Sequence, residues 1–351
     1  MLGFSGIGVV IENVLKRIIL KHPDLNFHLL ANSKSNTNYD WLSNKNVFLS
    51  RWEASIYSLR QQITPIPQSP FEIDITWCPH YDVSRQLTGP LLVTIHDVLH
   101  LDNHIMKRSL IQRIYAQLMM RYAKYHASRI VFDSNFTKNQ FARFVGVNNI
   151  DTQVIWLGVD PKWFDVNWKP KSGLDRYVVF VGNAMVHKNL KTLIRAIVEY
   201  GKVKLIIVGN ASGLKTLDHD SVELASNNSD LIEVTGRIDD QRLMDIIARA
   251  ALLVSPSLYE GFSLTPLEAL AAGVPVAISD IPVHREVYNN VASFFEPQSV
   301  THCIETISSS LDKTPGDESL RKAFARQFDW DTVADKYFSA FLELTNRGRL
   351  T

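Results

Sequence analysis

SLYEGFSLTPLEALAAGVPV, residues 257–276, places two carboxylates and a helix start within a few residues of each other. Just before it, residues 251–255 (ALLVS) form an apolar run of strand length, and residues 274–278 (VPVAI) form another. Between the two runs Thr265-Pro266-Leu267-Glu268 reads as a helix start, with a Thr N-cap, a Pro at the first helical position and a Glu three residues after the cap. Gly273 supplies the stop. A strand that passes through a loop into a helix N-terminus presents unpaired N–H groups and the positive end of the helix dipole, which suits a phosphate. Two glutamates at such a place repel an anion. They make sense where the ligand also carries hydroxyls: Glu260 and Glu268 would accept from sugar OH groups while the backbone of Ser263, Leu264 and Thr265 holds phosphate. A sugar nucleotide carries both kinds of group. A purely structural reading of Glu268 stays open, because a lone capping-box carboxylate needs no ligand. Glu260 lies in a loop where nothing structural asks for an acid.

The string EGFSLTPLEALAAGVPV resembles the signature of the retaining, nucleotide-sugar-dependent glycosyltransferases of family 4, written E-G-F-G-L-x-x-x-E-A-M-A-x-G-x-P-V. Ser263 stands where that signature has its second glycine, and both glutamates keep their register. The resemblance implies an α/β fold of two Rossmann-like domains facing each other across a cleft, the B-type glycosyltransferase fold. It also implies a donor held mainly by the second domain and retention at the anomeric carbon.

Outward from this stretch, the composition sets bounds. The chain has 351 residues, 46% of them hydrophobic and 21% charged, as in a globular protein of two domains. Its net charge of +1 gives no global electrostatic case for nucleic acid. Two cysteines, Cys78 and Cys303, lack metal-ligand spacing and fit a reducing cytoplasm. No apolar run is long enough to span a membrane, and no signal-peptide pattern opens the chain. The expected location is therefore cytoplasmic, with any membrane contact made from the surface.

The first residues, MLGFSGIGVVIENVLKRIIL, pass from glycines straight into a helical pattern. In the resembling enzymes a hydrophobic strand comes first, then a G-x-G turn near the donor diphosphate. Gly6 and Gly8 match the turn, Gly6 as a donor contact, but the first strand of the N-terminal domain is missing; a start further upstream is the favoured explanation. From Phe27 to Phe132 short β-type runs (residues 27–30, 47–49, 73–77, 91–95 and 129–132) alternate with helical ones, the pattern of a mostly parallel sheet. Ligands of such sheets bind at the carboxyl ends of the strands.

That rule singles out His96 and Asp97 after the strand LLVTI. TIHDVLHLDN resembles the H-D segment of family 4, which implies that His96 faces the transferred sugar and shapes charge at the reacting carbon. Asp97 is read either as orienting the imidazole or as a turn residue, and His100 and His104 as surface or acceptor-side. Residues 106–126 (MKRSLIQRIYAQLMMRYAKYH) form a helix with Ile111, Ile114, Tyr115, Leu118 and Tyr122 on one face and Arg113, Arg121 and Lys124 on another. The ordinary reading is that the apolar face packs into the core. The other is that it lies on anionic lipid. VFDSNFTKNQFARFVG reads as strand, cap and helix, with Ser134 and Asn135 adequate as caps.

Residues 158–175, rich in Pro and Gly and poor in periodicity, read as a linker. The second domain opens with the strand YVVFV and then GNAMVHKNLKTLIRAI, which resembles the family segment V-G-x-x-x-x-[HR]-K-N-L. The resemblance makes Lys188 the cation that neutralises the departing diphosphate. Asn183 stands where many relatives carry an Arg. Gly236-Arg237 follows a strand end, and Arg237 is read as a nucleobase or phosphate contact. The C-terminal FDWDTVADKYFSAFLEL is an amphipathic helix that the family sends back onto the first domain.

The expected domains are 1–157 (acceptor side), the linker 158–175, 176–328 (nucleotide-sugar binding) and a crossing helix in 329–351. The expected activity moves a hexose from a nucleoside diphosphate sugar to a glycan or lipid-linked glycan acceptor, with GDP-mannose as the guess from resemblance to bacterial surface-polysaccharide (lipopolysaccharide) enzymes. His96, Lys188 and Glu260 are the expected catalytic residues. Donor binding falls to Gly6, Asn183, Lys188, Arg237, Ser263, Leu264, Thr265 and Glu268. No cofactor, metal or nucleic acid is expected, and peripheral contact with the inner membrane surface is a further partner. The competing readings are a truncated, catalytically weak nucleotide-sugar-binding protein and a nucleotide-sugar epimerase or phosphorylase on the same fold.

Overall fold

A computed structural model describes residues 6–32, 38–54, 58–105, 109–210, 218–312 and 317–348. Contacts divide the chain into two units, one of residues 1–103, 108–158 and 329–351 and one of residues 104–107 and 159–328.

The first unit runs α1 (Gly6–Lys21), β1 (Phe27–Ala31), β2 (Val47–Arg51), α2 (Leu59–Ile63), β3 (Thr76–Cys78), β4 (Leu91–Ile95), α3 (Leu110–His126), β5 (Arg129–Phe132), α4 (Asn135–Phe144) and β6 (Asp151–Val154). All its pairings are parallel, but they fall into two sheets, β1-β2 and β3-β4-β5-β6. The strands β4 and β5 are buried along their whole length, as expected of LLVTI and RIVF covered on both faces. Gly6 and Gly8 do not form a turn: they are the first and third residues of α1, and residues 1–5 lie outside the described residues.

The orientation of α3 corrects the core-packing reading. Its buried residues are Ala116, Met119, Met120 and Ala123. Ile111, Ile114 and Leu118 face the other way and are exposed. Ser109 caps the helix in a full capping box with Gln112, and residues 106–108 of the sequence-expected helix lie outside the described residues.

The second unit runs β7 (Tyr177–Val181), α5 (Leu190–Tyr200), β8 (Lys204–Val208), α6 (His219–Ser226), β9 (Ile232–Gly236), α7 (Asp240–Arg249), β10 (Leu252–Ser255), α8 (Leu264–Ala271), β11 (Val276–Ser279), α9 (Pro282–Tyr288), β12 (Ser293–Phe295), α10 (Val300–Asp312) and α11 (Glu318–Ala325). Among the described residues its sheet is six-stranded and parallel, in the order β12-β11-β10-β7-β8-β9. Read from the other edge, this is the doubly wound 3-2-1-4-5-6 order, with its switch point between β7 and β10. Within the stretch read as linker, Trp163, in a 3-10 turn at Pro161–Asp165, is buried.

The chain ends in α12 (Trp330–Gly348), which belongs to the first unit. Tyr337 of α12 hydrogen bonds Thr94 of β4 at 3.1 Å and packs on Trp77, and Lys21 at the end of α1 pairs with Asp335 at 2.8 Å.

Candidate active site

The carboxyl ends of β7 and β10 carry the charged centre of the second unit. After β7 the chain turns through Gly182 and Asn183 into a 3-10 turn at Val186–Lys188, and after β10 it runs through Ser257 to Glu260. The Lys188 ammonium donates to Glu260 Oε1 at 2.7 Å. Ser257 Oγ donates to the same oxygen at 2.6 Å. Only 11% of the Glu260 side chain is exposed. Burial would raise its carboxyl, but Lys188 and His187 outweigh that and hold it at about 2. The residues that sequence reasoning placed 72 positions apart are thus one ion pair.

Asn189 holds this turn in place. Its backbone is left-handed (φ 51), and its amide donates to the carbonyls of Pro256 at 3.0 Å and Pro297 at 2.6 Å. One side chain thereby ties the loop after β7 to the loops after β10 and β12. Sequence reasoning passed over it, although it stands in the quoted H-K-N-L segment. Below Glu260, Ser279 donates to the Ser257 carbonyl at 2.5 Å, and His284, fully buried, bonds the Ser279 carbonyl through Nδ1 at 2.9 Å. Burial pushes the His284 imidazole down to about 4, so it is neutral, and its Nε2 has no partner among the described residues.

The helix beside the pair starts earlier than the sequence suggests. α8 begins at Leu264 after Ser263, whose backbone is left-handed (φ 78, ψ 84) and whose side chain caps nothing. Thr265 is therefore not the N-cap, and Glu268 stands at the fifth helical position, out of reach of a capping box. What holds Ser263 is the Tyr288 hydroxyl, which donates to its carbonyl. Leu264 and Thr265 occupy the first turn, where N–H groups lack intrahelical partners. The Glu268 carboxyl is crowded by protein, and burial lifts it to about 7 against the pull of Lys162, with Asp240 and Asp160 adding to the rise and a hydrogen bond from Trp163 opposing it.

The neighbouring strand ends close the same edge. Asn183 Oδ1 accepts from the Asn210 N–H at 3.0 Å, and a Cβ on Gly209 would come within 2.1 Å of the Gly182 carbonyl oxygen, so only glycine fits there. Arg237 follows Gly236 at the end of β9.

In the first unit, His96 follows β4 and is buried. Its Nδ1 meets Asp133 Oδ2 at 2.6 Å and its Nε2 meets the Pro79 carbonyl at 3.1 Å. Burial disfavours the charged ring, but Asp133 and the Pro79 carbonyl more than compensate, so the imidazole titrates above its ordinary value. The orienting acid is Asp133, from the VFDSN segment, which sequence reasoning missed. Asp97 instead accepts from the Leu99 N–H at 2.9 Å, a turn role. His100 is bonded to the Tyr81 hydroxyl. Ser134 caps α4 by accepting from the Thr137 N–H.

Among the described residues no group of three or more His, Cys, Asp or Glu is placed to hold a metal ion.

The family described as "Glycosyl transferases group 1" matches residues 162–327. The chain is 27% identical over 252 residues to the O-antigen chain mannosyltransferase RfbU of Salmonella typhimurium, a match covering 70% of this chain and 69% of that protein. It is 22% identical over 270 residues to the GDP-mannose:cellobiosyl-diphosphopolyprenol alpha-mannosyltransferase of Xanthomonas campestris, covering 74% and 69%. The solved structure of Anabaena HepE in complex with UDP and glucose superposes with a TM-score of 0.74 at 18% identity, covering 97% of this chain and 96% of that one. That likeness establishes the fold, two Rossmann-like domains of the B type. Residues 162–327, with the Lys188–Glu260 pair at the switch point of their sheet, are a group 1 glycosyltransferase domain, and the chain is a glycosyltransferase.

Proposed function

We propose that the chain transfers a hexose, with mannose the first choice, from a nucleoside diphosphate sugar to a glycan or lipid-linked glycan acceptor, with retention at the anomeric carbon and without a metal. The observation that carries this reading is the Lys188–Glu260 pair, 2.7 Å apart at the switch point and beside the start of α8. In the reaction the bond from the anomeric carbon to the diphosphate oxygen breaks. Lys188, the first-turn N–H groups of α8 and Arg237 take up the charge that develops on the leaving group. Glu260 keeps the ammonium aimed before the donor arrives and, with Glu268, accepts from sugar hydroxyls. Mannose as the sugar is supported by the names of two relatives. Both cysteines are free, which suits a cytoplasmic enzyme.

The test is a set of initial rates with GDP-mannose and with UDP- and ADP-sugars, the product's anomeric configuration read by NMR and the assay repeated with EDTA. Lys188→Ala is expected to lower kcat by roughly a hundredfold to a thousandfold. Because it also leaves a buried carboxylate without its partner, the Lys188→Ala/Glu260→Gln double variant regains thermal stability but not turnover. Near wild-type turnover in Lys188→Ala removes the role assigned to it, and an inverted product removes retention.

A further inference from the structure

The amino ends of the second unit's strands carry a cleft of about 420 Å³, a size that suits a small molecule. Arg176 stands just before β7 and Ala251 just before β10, Val276 and Ser293 open β11 and β12, and all four line it. The Lys188–Glu260 pair follows the carboxyl ends of β7 and β10, so the cleft lies at the opposite edge of the same sheet.

One wall is the stretch that leads into β7, and hydrogen bonds fix it. The N–H groups of Lys169 and Lys171 donate to the carbonyls of Ala248 and Arg249 at 2.8 and 3.0 Å, and Trp168 Nε1 donates to the Ala250 carbonyl at 2.8 Å. Arg321 of α11 also lines the cleft. Its Nε donates to the Gly273 carbonyl at 2.7 Å, and its guanidinium lies over the Trp168 ring, 5.0 Å from the centroid. Only 6% of Arg321 is exposed.

Three cations, Lys171, Arg176 and Arg321, thus line one cleft, and among the described residues no Asp or Glu lines it. Like charges set around one space repel, and an anion placed among them relieves the repulsion. Arg176 donates to the Leu311 carbonyl rather than to a carboxylate, and Lys171 is exposed. The two carboxylates that act on Arg321 are engaged elsewhere: Glu318 pairs with Lys322 at 2.9 Å, and Asp317 accepts from the Ser319 N–H at 2.7 Å. Burial pulls the Arg321 guanidinium below its ordinary value against the pull of both acids, so the charge there is incompletely compensated.

The rest of the lining decides what the anion is attached to. Ser310 donates to Ser293 at 3.3 Å, which leaves the Ser293 proton for a ligand. Pro170, Pro275 and Val291 add carbon surface that a bare inorganic anion would leave unused. Guanidinium groups match the oxygens of a phosphate two at a time, and a ring bearing hydroxyls fits the serines and the apolar wall.

The geometry points to a second ligand site at the amino edge of the β7–β12 sheet, which takes a sugar phosphate monoester with its phosphate on Lys171, Arg176 and Arg321. The site belongs to the second unit alone and stands whether or not the donor site acts as proposed above.

The experiment is equilibrium dialysis of the full chain with glucose 6-phosphate, glucose and inorganic phosphate, each with and without saturating GDP. Glucose 6-phosphate is expected to bind once per chain, about tenfold or more tighter than inorganic phosphate or glucose, and equally well with GDP present. Lys171→Glu, at an exposed position, should leave the melting temperature unchanged and weaken the ester by roughly tenfold or more. Arg176→Gln should weaken it by a similar factor, and in both variants GDP should bind as in wild type. Lys188→Ala should weaken GDP and leave the ester unaffected. Wild type that binds no glucose 6-phosphate overturns the proposal, as do variants that bind it as tightly as wild type. Displacement of the ester by GDP overturns it too, since the ester would then occupy the donor site, and inorganic phosphate bound as tightly as the ester removes the sugar. A chain that takes the ester but no nucleotide upholds this site and removes the donor reading instead.

Discussion

Lys188 stands just before α5, where a cation opposes the dipole of the helix it precedes. Glu260, held ionised at about 2, resolves the conflict, and the pair together is neutral. The second acid is handled differently: Glu268 is lifted to about 7 by burial, so near neutrality it is half protonated and repels a diphosphate less than a carboxylate would. Two glutamates beside an anion site are therefore compatible, one by pairing and the other by protonation. The lift has a consequence for stability. Between about 4.5 and about 7 the folded chain keeps a proton on Glu268 that the unfolded chain has lost, so this group's contribution falls as pH rises through that window. Glu268→Gln removes the dependence. Its melting temperature is expected to gain on that of wild type from pH 5 to pH 8, and a constant difference across that range would show that Glu268 titrates normally.

At the scale of the element, α8 shows how a helix start can be misread from a correct motif. Thr265-Pro266 has the composition of a cap, but the chain bends two residues earlier, at Ser263, in a backbone region that costs a side-chain-bearing residue about 1 kcal/mol or more. This is the position where the resembling signature has glycine, and the positive φ gives that glycine its physical reason. Ser263→Gly keeps the carbonyl that Tyr288 grips and relieves the strain. It should raise the melting temperature by ~1–3 °C in calorimetry; a fall would mean that the serine side chain stabilises the turn. The buried strands were legible because a buried parallel strand is a continuous apolar run, and YVVFV, ALLVS and LLVTI can be little else. The ion pair was legible only as two separate residues, and Asp133 behind His96 not at all, because partners that meet through a sheet leave no local spacing. In α3 the periodicity revealed an apolar face but not its direction. The inward face is made of Ala and Met, which carry a weaker signal than the Ile and Leu turned outward.

Across the whole molecule, the two units invite comparison strand by strand. In the second, β7 is central, pairing with β8 on one side and β10 on the other. In the first, the same winding would put a strand between β1 and β3, and among the described residues none stands there: β1 pairs only with β2 and β3 only with β4. The rest of the unit is held by side chains, with α12 covering β3 and β4 through Trp77, Thr94 and Tyr337. A strand paired on one side leaves alternate N–H groups without ladder partners, and these exchange with solvent at the rate of local opening. Hydrogen exchange read by mass spectrometry should therefore find Phe27–Ala31 protected no better than the edge strands β9 and β12, and far less than Leu91–Ile95, which is paired on both sides. Equal protection of β1 and β4 would mean that the inner edge of β1 is covered, and the first unit would then hold one continuous sheet like the second.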